Sequence, residues 1–452
     1  MPSTDTVESA VDATEDSLDR GMSHLIRSPF YDHWRAQVEA SRGCSQPIRL
    51  SGEYKVVHSG TGQVLHDHSG QVMVPCGTRR ADACESCSEV YAADAFHLIR
   101  AGLTGDDSKG IPAAVANAPR LFLTLTAPSF GRVHSRNLTA KGKVRPCACG
   151  EHHVAADTRL HGAINPDEYD YEAAVLWQAH SGALWQRWCM RVRRLLAQAG
   201  GIKTRELADH LTLSYSKVAE FQKRGMIHFH SVVRVDGPDG AGSPPPAWVT
   251  PEMLSEVVKA AAASVELEAF RPTGEVLTLR FGGQVLPEVI TNTDDGDGKT
   301  AGSIAGYIAK YATKSSGVTE SGVDRRMRSR DHIKALKVSE HHRRMMLMAW
   351  DLGGLAMYED LNLRRWAHML GFRGHFLTKS KVYSTTFTQL RTARQLHRMA
   401  ELIASLDVCE DEITVINDWE MTSVGHRSDA ERELAQAIQS RILATRPTGG
   451  EA

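Results

Sequence analysis

Residues 216–237 read SKVAEFQKRGMIHFHSVVRVDG. β-Branched and aromatic residues, which favour strands, lie on both sides of Lys223-Arg224-Gly225. A glycine supplies the positive φ that a tight turn needs. The pattern therefore predicts a β-hairpin with a three-residue turn at 223–225. Its register determines which side chains share a face of the sheet.

Three ionisable side chains share one face of this predicted hairpin. His228 and His230 are two residues apart, so they project from the same side of a strand. With a turn at 223–225, Glu220 lies opposite His228 on that face, and Gln222 faces the same way as an alternative ligand. Two imidazoles and a carboxylate leave coordination positions open and suit Mg²⁺ or Mn²⁺ holding a phosphate oxygen. The competing interpretation is a solvated strand whose polar residues alternate outward.

A pair of tyrosines follows in the segment SIAGYIAKYATKS, residues 303–315, which has helical spacing. Tyr307 and Tyr311 lie four apart on one helical face, and each is followed three residues later by a lysine, Lys310 or Lys314. A tyrosyl oxygen can attack a DNA phosphodiester when a metal and cations offset the transition-state charge. Two helical tyrosines alone are more typical of a packed core, but the nearby hairpin favours the catalytic interpretation.

Several segments, taken in order, resemble a known family. The strand FLTLTAP at 122–128, the run His228-Phe229-His230 and the Tyr-x-x-Lys helix resemble the three motifs of the HUH superfamily of rolling-circle initiators and relaxases. More narrowly, residues 43–395 resemble the RepSA-type replication initiators of actinobacterial integrative elements and plasmids. The segments that carry this likeness are VPCGTRRADACESCSEVYAADAFHLIRAGL, LFLTLTAPSFGRVHSR, EFQKRGMIHFH, GYIAKYATK and MLGFRGHFLTKSKVYSTTFTQLR.

The resemblance implies an enzyme that nicks and rejoins one strand at an origin through a 5′-phosphotyrosine and so starts rolling-circle replication. It maps His228 and His230 onto the metal-binding histidines and Tyr311 or Tyr307 onto the nucleophile. Likeness to single-tyrosine relatives favours Tyr311 as the principal nucleophile, with Tyr307 as a second nucleophile or a positioning group. The catalytic residues expected on this basis are Tyr311, Tyr307, Lys310 and Lys314, with His228, His230 and Glu220 as ligands of the catalytic metal.

Two other functions fit the same residues. A conjugative relaxase or a transposase would use the same chemistry on another DNA site. A non-catalytic zinc-dependent DNA-binding regulator would use the cysteines and the basic helices, while His228 and Tyr311 merely pack. Sequence-specific binding that survives Tyr311→Phe would indicate the regulator.

Four of the eight cysteines fall in two tight groups, which favours metal thiolates over disulfides. Cys84 and Cys87 form a knuckle for zinc, and Cys76 and Cys44 complete four ligands of a structural site, with His66 and His68 as alternative ligands. A second zinc site is predicted in the run CACGEHH, where Cys-x-Cys is a tight spacing. Its ligands would be Cys147, Cys149 and His152, and His153 is a further candidate ligand. Cys189 and Cys409 stand alone and are interpreted as ordinary thiols.

The predicted fold class is α+β: an HUH endonuclease core on a central antiparallel sheet, a zinc-ribbon-like N-terminal module and a helical C-terminal region. LFLTLTAP at 121–128 predicts a central strand, and 172–199 predicts a long helix or a pair broken at Gly182. The predicted segments are a partly disordered 1–42, a cysteine-rich module at 43–110, an endonuclease domain at 111–335 and a helical basic region with an acidic tail at 336–452.

Charge is unevenly distributed although the net charge is only −1. Residues 305–398 carry 18 Lys and Arg against 7 Asp and Glu, which favours DNA as a partner through its phosphates. The runs DRRMRSRDHIKALK and HHRRMM are the predicted contacts. GDGKTAGS at 296–303 lacks the first glycine of a phosphate loop, so no ATP is expected, and a host helicase and polymerase would be needed. No long apolar run or basic leader appears, which predicts a cytoplasmic protein without membrane segments.

Overall fold

The computed structural model describes residues 17–291, 300–313, 326–406 and 412–445. Helices and antiparallel sheets alternate along the chain. The strands are β1 (Ile48–His58), β2 (Val64–Val74), β3 (Arg120–Thr126), β4 (Thr212–Phe221), β5 (Ile227–Asp236), β6 (Glu266–Phe270), β7 (Val276–Arg280), β8 (Val285–Val289), β9 (Leu377–Lys379) and β10 (Ile413–Val424). The α-helices after residue 30 are α1 (Tyr31–Ala40), α2 (Glu85–Thr104), α3 (Tyr171–Ala199), α4 (Pro251–Ser264), α5 (Ala301–Thr313), α6 (Arg330–Ala335), α7 (Glu340–Leu352), α8 (Phe387–Leu406) and α9 (Asp429–Ala444).

The strands form three sheets, in the orders β10-β1-β2, β8-β3-β5-β4-β9 and β6-β7. Every pair of neighbours is antiparallel. The mixed α and β composition and the antiparallel sheets agree with the predicted class. LFLTLTAP has neighbours on both sides in the five-stranded sheet, as a central strand must.

The chain divides into two compact units. Unit 1 comprises Met1–Asp94 and Phe387–Ala452, and unit 2 comprises Ala95–Thr386. Unit 1 holds the three-stranded sheet, and Trp34, Val38 and Met73 pack there with Ala435 and Ile438. This division into two units does not test the bounds of the four predicted segments, which stay a prediction.

Unit 2 is built on the five-stranded sheet, which has different partners on its two faces. Along β5 the odd-numbered residues Phe229 and Val233 join the main hydrophobic cluster with Trp177, Trp185 and Trp188 of α3. The even-numbered histidines therefore project from the opposite face, where α5 contacts β4. Truncating one of these buried tryptophans would cost about 3–5 kcal/mol. The packing of α3 thus fixes the sheet whose other face carries the candidate site.

Helix α3 is continuous from Tyr171 to Ala199. Gly182, the predicted weak point, does not break it. Asp170 caps the helix N-terminus by accepting a hydrogen bond from the Ala173 N–H. The open alternative of a broken helix pair is therefore settled in favour of one long helix.

Two stretches predicted to be helical contain strands. The run PEMLSEVVKAAAASVELEA at 251–269 has the spacing of a helix with Pro251 at its start, but the helix ends at Ser264, and Glu266–Phe270 is a strand in which Leu267 and Ala269 alternate inward. The C-terminal region is not wholly helical either, since Ile413–Val424 pairs along β1. This segment is rich in β-branched residues, which favour strands, and it pairs with the edge of β1. These two effects outweigh the helical tendency of the sequence on either side.

No helix in the described ranges is both long enough and apolar enough to cross a membrane.

Candidate functional site

The hairpin formed by β4 and β5 has the predicted turn. The Gln222 N–H donates to the Met226 carbonyl at 2.8 Å, which leaves Lys223, Arg224 and Gly225 as the turn residues. Gly225 has φ +77°, a left-handed conformation that favours glycine. In the resulting register Glu220 lies directly opposite His228.

Glu220, His228 and His230 converge on one face of this hairpin. The His228 Nε2 atom lies 2.9 Å from Glu220 Oε2, and His230 Nε2 lies 3.3 Å from the same oxygen. The two Nε2 atoms are 3.1 Å apart. The three side chains are only 16%, 11% and 6% exposed for His228, Glu220 and His230, respectively. Burying such groups together is costly unless they pair or bind a metal.

His230 is oriented from the neighbouring strand β3. Thr124 lies opposite His230 in the register, and its Oγ1 is 2.9 Å from His230 Nδ1. Phe122 stacks on the imidazole with ring centroids 5.7 Å apart and planes at 6°. A His230 Nδ1–H that donates to Thr124 leaves Nε2 as the ligand atom facing Glu220, which is the usual support for a metal-binding histidine.

The hairpin turn is held from several directions. Gln178 of α3 donates to the Gly225 carbonyl at 2.8 Å and accepts from the Ile227 N–H at 3.1 Å. Arg224 donates to the carbonyls of Ala127 and Pro128, just beyond β3. His341 Nε2 lies 3.2 Å from the Arg224 carbonyl, and burial lowers the pKa of His341 to about 4, which keeps the ring neutral. These contacts fix the turn, and with it the position of His228.

Gln222, the alternative third ligand, is used differently. Its Oε1 accepts a hydrogen bond from Arg224 Nε at 2.9 Å. The group of ligand atoms that lie within 4.8 Å of one another contains Glu220, His228 and His230.

Both tyrosines of α5 face this group. The Tyr307 hydroxyl lies 3.2 Å from His230 Nε2, and the Tyr311 ring centroid is 6.0 Å from that of His230. The two phenol rings are neighbours, with centroids 4.4 Å apart. Burial raises the pKa of Tyr307 above its ordinary value, and the negative charge of Glu220 adds to the rise. Lys310 is exposed on the same helix, and Lys314 lies outside the described residues.

The four cysteines of the predicted structural site come together in unit 1. Their sulfur atoms all lie within 4.8 Å of one another, and Cys44 is 3.8 Å from Cys84 and 3.6 Å from Cys87. Sulfurs around a tetrahedral zinc ion at about 2.3 Å would be about 3.8 Å apart. Hydrogen bonding with Cys44 and Cys87 lowers the pKa of the Cys84 thiol. Cys76 completes the set, and His66 and His68 are not members of it.

The second predicted zinc site differs from its expected ligand set. Cys147 and Cys149 are joined by His153 and by His134, which precedes them by thirteen residues or more. His152 is exposed and lies outside the group, whereas the adjacent His153 is buried and belongs to it. Nothing in the sequence marks His134 as a ligand, because its approach to the two cysteines depends on how the intervening loop folds.

Comparison with known proteins identifies the family. The family model described as "Replication initiator protein, pSAM2", RepSA, matches residues 30–440. A "Replication initiator protein" of Streptomyces ambofaciens is 41% identical over 440 residues, which is 95% of this chain and 94% of that protein. The chain belongs to the RepSA family of replication initiators. No solved structure matches it.

One predicted DNA contact of this RepSA chain is largely part of its core. In the run HHRRMM, four residues are buried: His341, His342, Met345 and Met346. The two arginines between them pair with acids and carbonyls of the protein. By contrast, the segment after residue 325 exposes Arg326, Arg328, Arg330, Lys334 and Lys337. This segment is therefore exposed and basic, and its contact with DNA stays a prediction.

Sequence reasoning missed several residues that shape the site of this RepSA chain. Thr124 and Phe122 orient His230, and Gln178 holds the hairpin turn. The alternation of Phe122, Thr124 and Thr126 along β3 was visible in the sequence, but which strand it pairs with was not. Gln178 directly follows the apolar run 173–177 in α3, and an amide in such a position is a signal of a buried polar group with a specific partner.

Proposed function

We propose that this protein nicks and rejoins one strand of DNA at a replication origin through a 5′-phosphotyrosine and thereby starts rolling-circle replication. One observation carries the proposal: Tyr307 and Tyr311 lie beside the Glu220, His228 and His230 group on a buried sheet face. A nucleophile and a set of metal ligands in contact are the two parts that this chemistry needs. The family membership supports the replication role.

The three ligand atoms fit a divalent cation. Two imidazole nitrogens and one carboxylate oxygen converge within 4.8 Å, and such a mixed set suits Mn²⁺ or Mg²⁺ with positions left open. A cation held there would polarise a phosphate oxygen and offset the charge that builds up on the phosphate. Thr124 keeps the His230 ring in the orientation that presents Nε2.

The residues of the chain carry out the transfer itself. A tyrosyl oxygen loses its proton and attacks phosphorus in line, so that a tyrosyl O–P bond forms as the P–O3′ bond breaks. The 3′ oxygen leaves and takes up a proton, giving a free 3′-OH that can prime synthesis. Rejoining is the reverse reaction, with the 3′-OH as nucleophile and the tyrosine as leaving group. Lys310, which is exposed on the same helix, would offset phosphate charge.

Two neighbouring phenols allow two successive transfers. Their rings are 4.4 Å apart, so a strand end held by one tyrosine lies within reach of the other. We propose that either tyrosine can attack, with Tyr311 as the principal nucleophile from the resemblance described above. Unwinding would be left to a host helicase and synthesis to a host polymerase.

The test is a search for the covalent intermediate. The full-length protein would be incubated with labelled single-stranded DNA from its own origin and Mn²⁺, then separated by denaturing electrophoresis. We expect a protein–DNA adduct that disappears in the Tyr307→Phe/Tyr311→Phe double variant, with chelator, and in His228→Ala. Each single tyrosine variant reports which phenol attacks. Tyr54→Phe, a phenol of unit 1 that contacts His66, is the matched control and should form the adduct normally.

Absence of the adduct across origin fragments, with metal and duplex DNA still bound, would contradict the proposal and favour the regulator. An adduct that persists in the double variant would contradict the assignment of the tyrosines.

A further inference from the structure

The loop between β3 and α3 is long, and backbone hydrogen bonds join its two ends. The His134 N–H donates to the Gly162 carbonyl at 2.8 Å, and the His161 N–H donates to the His134 carbonyl at 2.9 Å. Val133 and Ala163 form an antiparallel bridge beside these bonds. We call residues 132–163 the basic loop.

The basic loop has no hydrophobic core of its own between its tied ends. From residue 134 to 161, the buried residues are His134, Cys147 and His153, and the apolar Leu138 and Val154 are 49% and 68% exposed. A segment of this length that buries only polar, metal-ligating side chains needs another source of stability. In this segment the cluster of His134, Cys147 and His153 therefore takes the role that a hydrophobic core has elsewhere in the protein.

The geometry of the cluster suits a tetrahedral zinc ion. His153 Nε2 lies 3.1 Å from His134 Nδ1 and 3.3 Å from Cys149 Sγ, and all four ligand atoms lie within 4.8 Å of one another. Ligands around zinc would be separated by about 3.3 to 3.8 Å. The other ring nitrogen of His153 donates to Asp157 at 2.7 Å, the carboxylate support that zinc-bound histidines usually have. Arg159 in turn holds Asp157.

A small hairpin extends from this cluster. Leu138 and Val144 form an antiparallel bridge, and the Thr139 N–H donates to the Lys143 carbonyl at 2.8 Å. The hairpin tip is Lys141-Gly142-Lys143, where Gly142 has φ +75°.

The hairpin and its flanks carry a single sign of charge. Residues 129–150 contain five Lys and Arg and no Asp or Glu. The exposed cations are Arg132, Lys141, Lys143 and Arg145. Among the described residues none of these four makes an ion pair with an acid of the protein. Cations that are exposed, clustered and unneutralised are the usual contacts to DNA phosphates.

We propose that His134, Cys147, Cys149 and His153 bind a structural zinc ion that holds the basic loop in shape, so that its hairpin contacts the DNA phosphate backbone. This deepens the proposed function, on which its DNA partner rests. The ligand is the phosphodiester backbone, so the contact is sequence-neutral and sensitive to salt.

The zinc part is tested by metal content of the full-length protein. We expect His134→Ala and Cys149→Ser each to hold one zinc per chain fewer than the wild type, and to be cleaved faster by protease within residues 134–161. The matched control is His152→Ala, the exposed neighbour, which should keep the wild-type zinc content. Equal zinc content in wild type and both ligand variants would overturn the site.

The DNA part is tested with Lys141→Glu/Lys143→Glu, which leaves the cluster intact. We expect binding to single-stranded DNA to weaken by about tenfold or more at low salt, and the slope of log affinity against log salt to fall by about 1.4, as for two lost phosphate contacts. The control is Lys203→Glu/Arg205→Glu, two exposed cations with the same spacing that already pair with Glu206. Equal losses in both double variants would overturn the hairpin contact.

The two proposals fail in different ways. Normal adduct formation with unchanged affinity in Lys141→Glu/Lys143→Glu would overturn the hairpin contact and leave the nicking reaction standing. The expected zinc loss and salt dependence, without any adduct in the wild type, would support the basic loop and contradict the nicking reaction.

Discussion

Thr124 is the residue that holds His230 from the adjacent strand, with its Oγ1 2.9 Å from the ring Nδ1. We expect Thr124→Val to free the imidazole, because valine keeps the shape but cannot accept the Nδ1–H. Loss of such a supporting hydrogen bond typically weakens metal binding by about 10- to 100-fold. Electron paramagnetic resonance of free Mn²⁺ in a titration measures this affinity without depending on activity.

Two further variants make this result specific. Thr124→Ser retains the hydroxyl and should restore most of the Mn²⁺ affinity. Thr126→Val removes a hydroxyl that donates to the Gln284 carbonyl instead, so it should leave Mn²⁺ affinity near the wild-type value. If all three variants bound Mn²⁺ as tightly as the wild type, Thr124 would have no part in positioning His230.

At this scale the sequence was informative where geometry is local. The pairing of Glu220 with His228 followed from the number of residues in one turn, because a hairpin register is set by its loop. The roles of Thr124 and His134 could not be predicted in this way. Each depends on a contact between parts of the chain that no single turn joins. Thr124 reaches His230 only through the pairing of β3 with β5, and His134 reaches Cys147 only when a loop closes. No spacing rule describes either approach.

The hairpin turn between β4 and β5 is the element on which the site depends, and Gly225 is its most constrained residue. A Cβ there would lie 2.9 Å from Leu370 Cδ1 and 3.0 Å from Met345 Sδ, and φ is +77°. We expect Gly225→Ala to lower the free energy of unfolding by about 2 kcal/mol or more, from backbone strain and crowding together. It should also shift His228 and reduce adduct formation. Chemical denaturation measures the first effect.

Gly274 offers a matched control for this turn. It also has positive φ, +86°, but a Cβ there meets nothing within 4 Å. Gly274→Ala therefore carries the backbone strain without the crowding and should cost about 1 kcal/mol. Equal losses in the two variants would show that packing against Leu370 and Met345 does not constrain the turn.

A helix or a strand was predictable where the sequence pattern within that element is strong. The β4–β5 hairpin follows from turn chemistry, and apolar spacing predicted helix over 172–199 but left open whether Gly182 breaks it. Strand β10 did not, because its partner β1 is more than 350 residues away and only that pairing selects a strand over the helical neighbours. The run HHRRMM was misjudged for a related reason: its charges suggested a surface, but α7 packs its histidines and methionines inward.

On the scale of the whole molecule, the two compact units depend on different sources of stability. Unit 2 has a large hydrophobic cluster that includes three tryptophans of α3. Unit 1 has the small cluster around Trp34 and Val38 and the group of four cysteines. Structural zinc sites contribute about 10 kcal/mol or more, comparable with the total stability of many domains. A zinc ion bound by the four cysteines would therefore contribute a far larger share of the stability of unit 1 than of unit 2.

We accordingly expect Cys84→Ala to lose one zinc per chain and to unfold unit 1 while unit 2 stays folded. Hydrogen exchange followed by mass spectrometry would then show rapid exchange in β1, β2 and β10 and slow exchange in α3 and β5. Cys189→Ala is the matched control, since Cys189 is also a buried thiol but lies alone in α3. It should keep all the zinc and leave exchange in unit 1 unchanged. Slow exchange throughout β1 and β2 in zinc-depleted Cys84→Ala would contradict a metal-dependent unit 1, because the strands would then be stable on their apolar contacts alone.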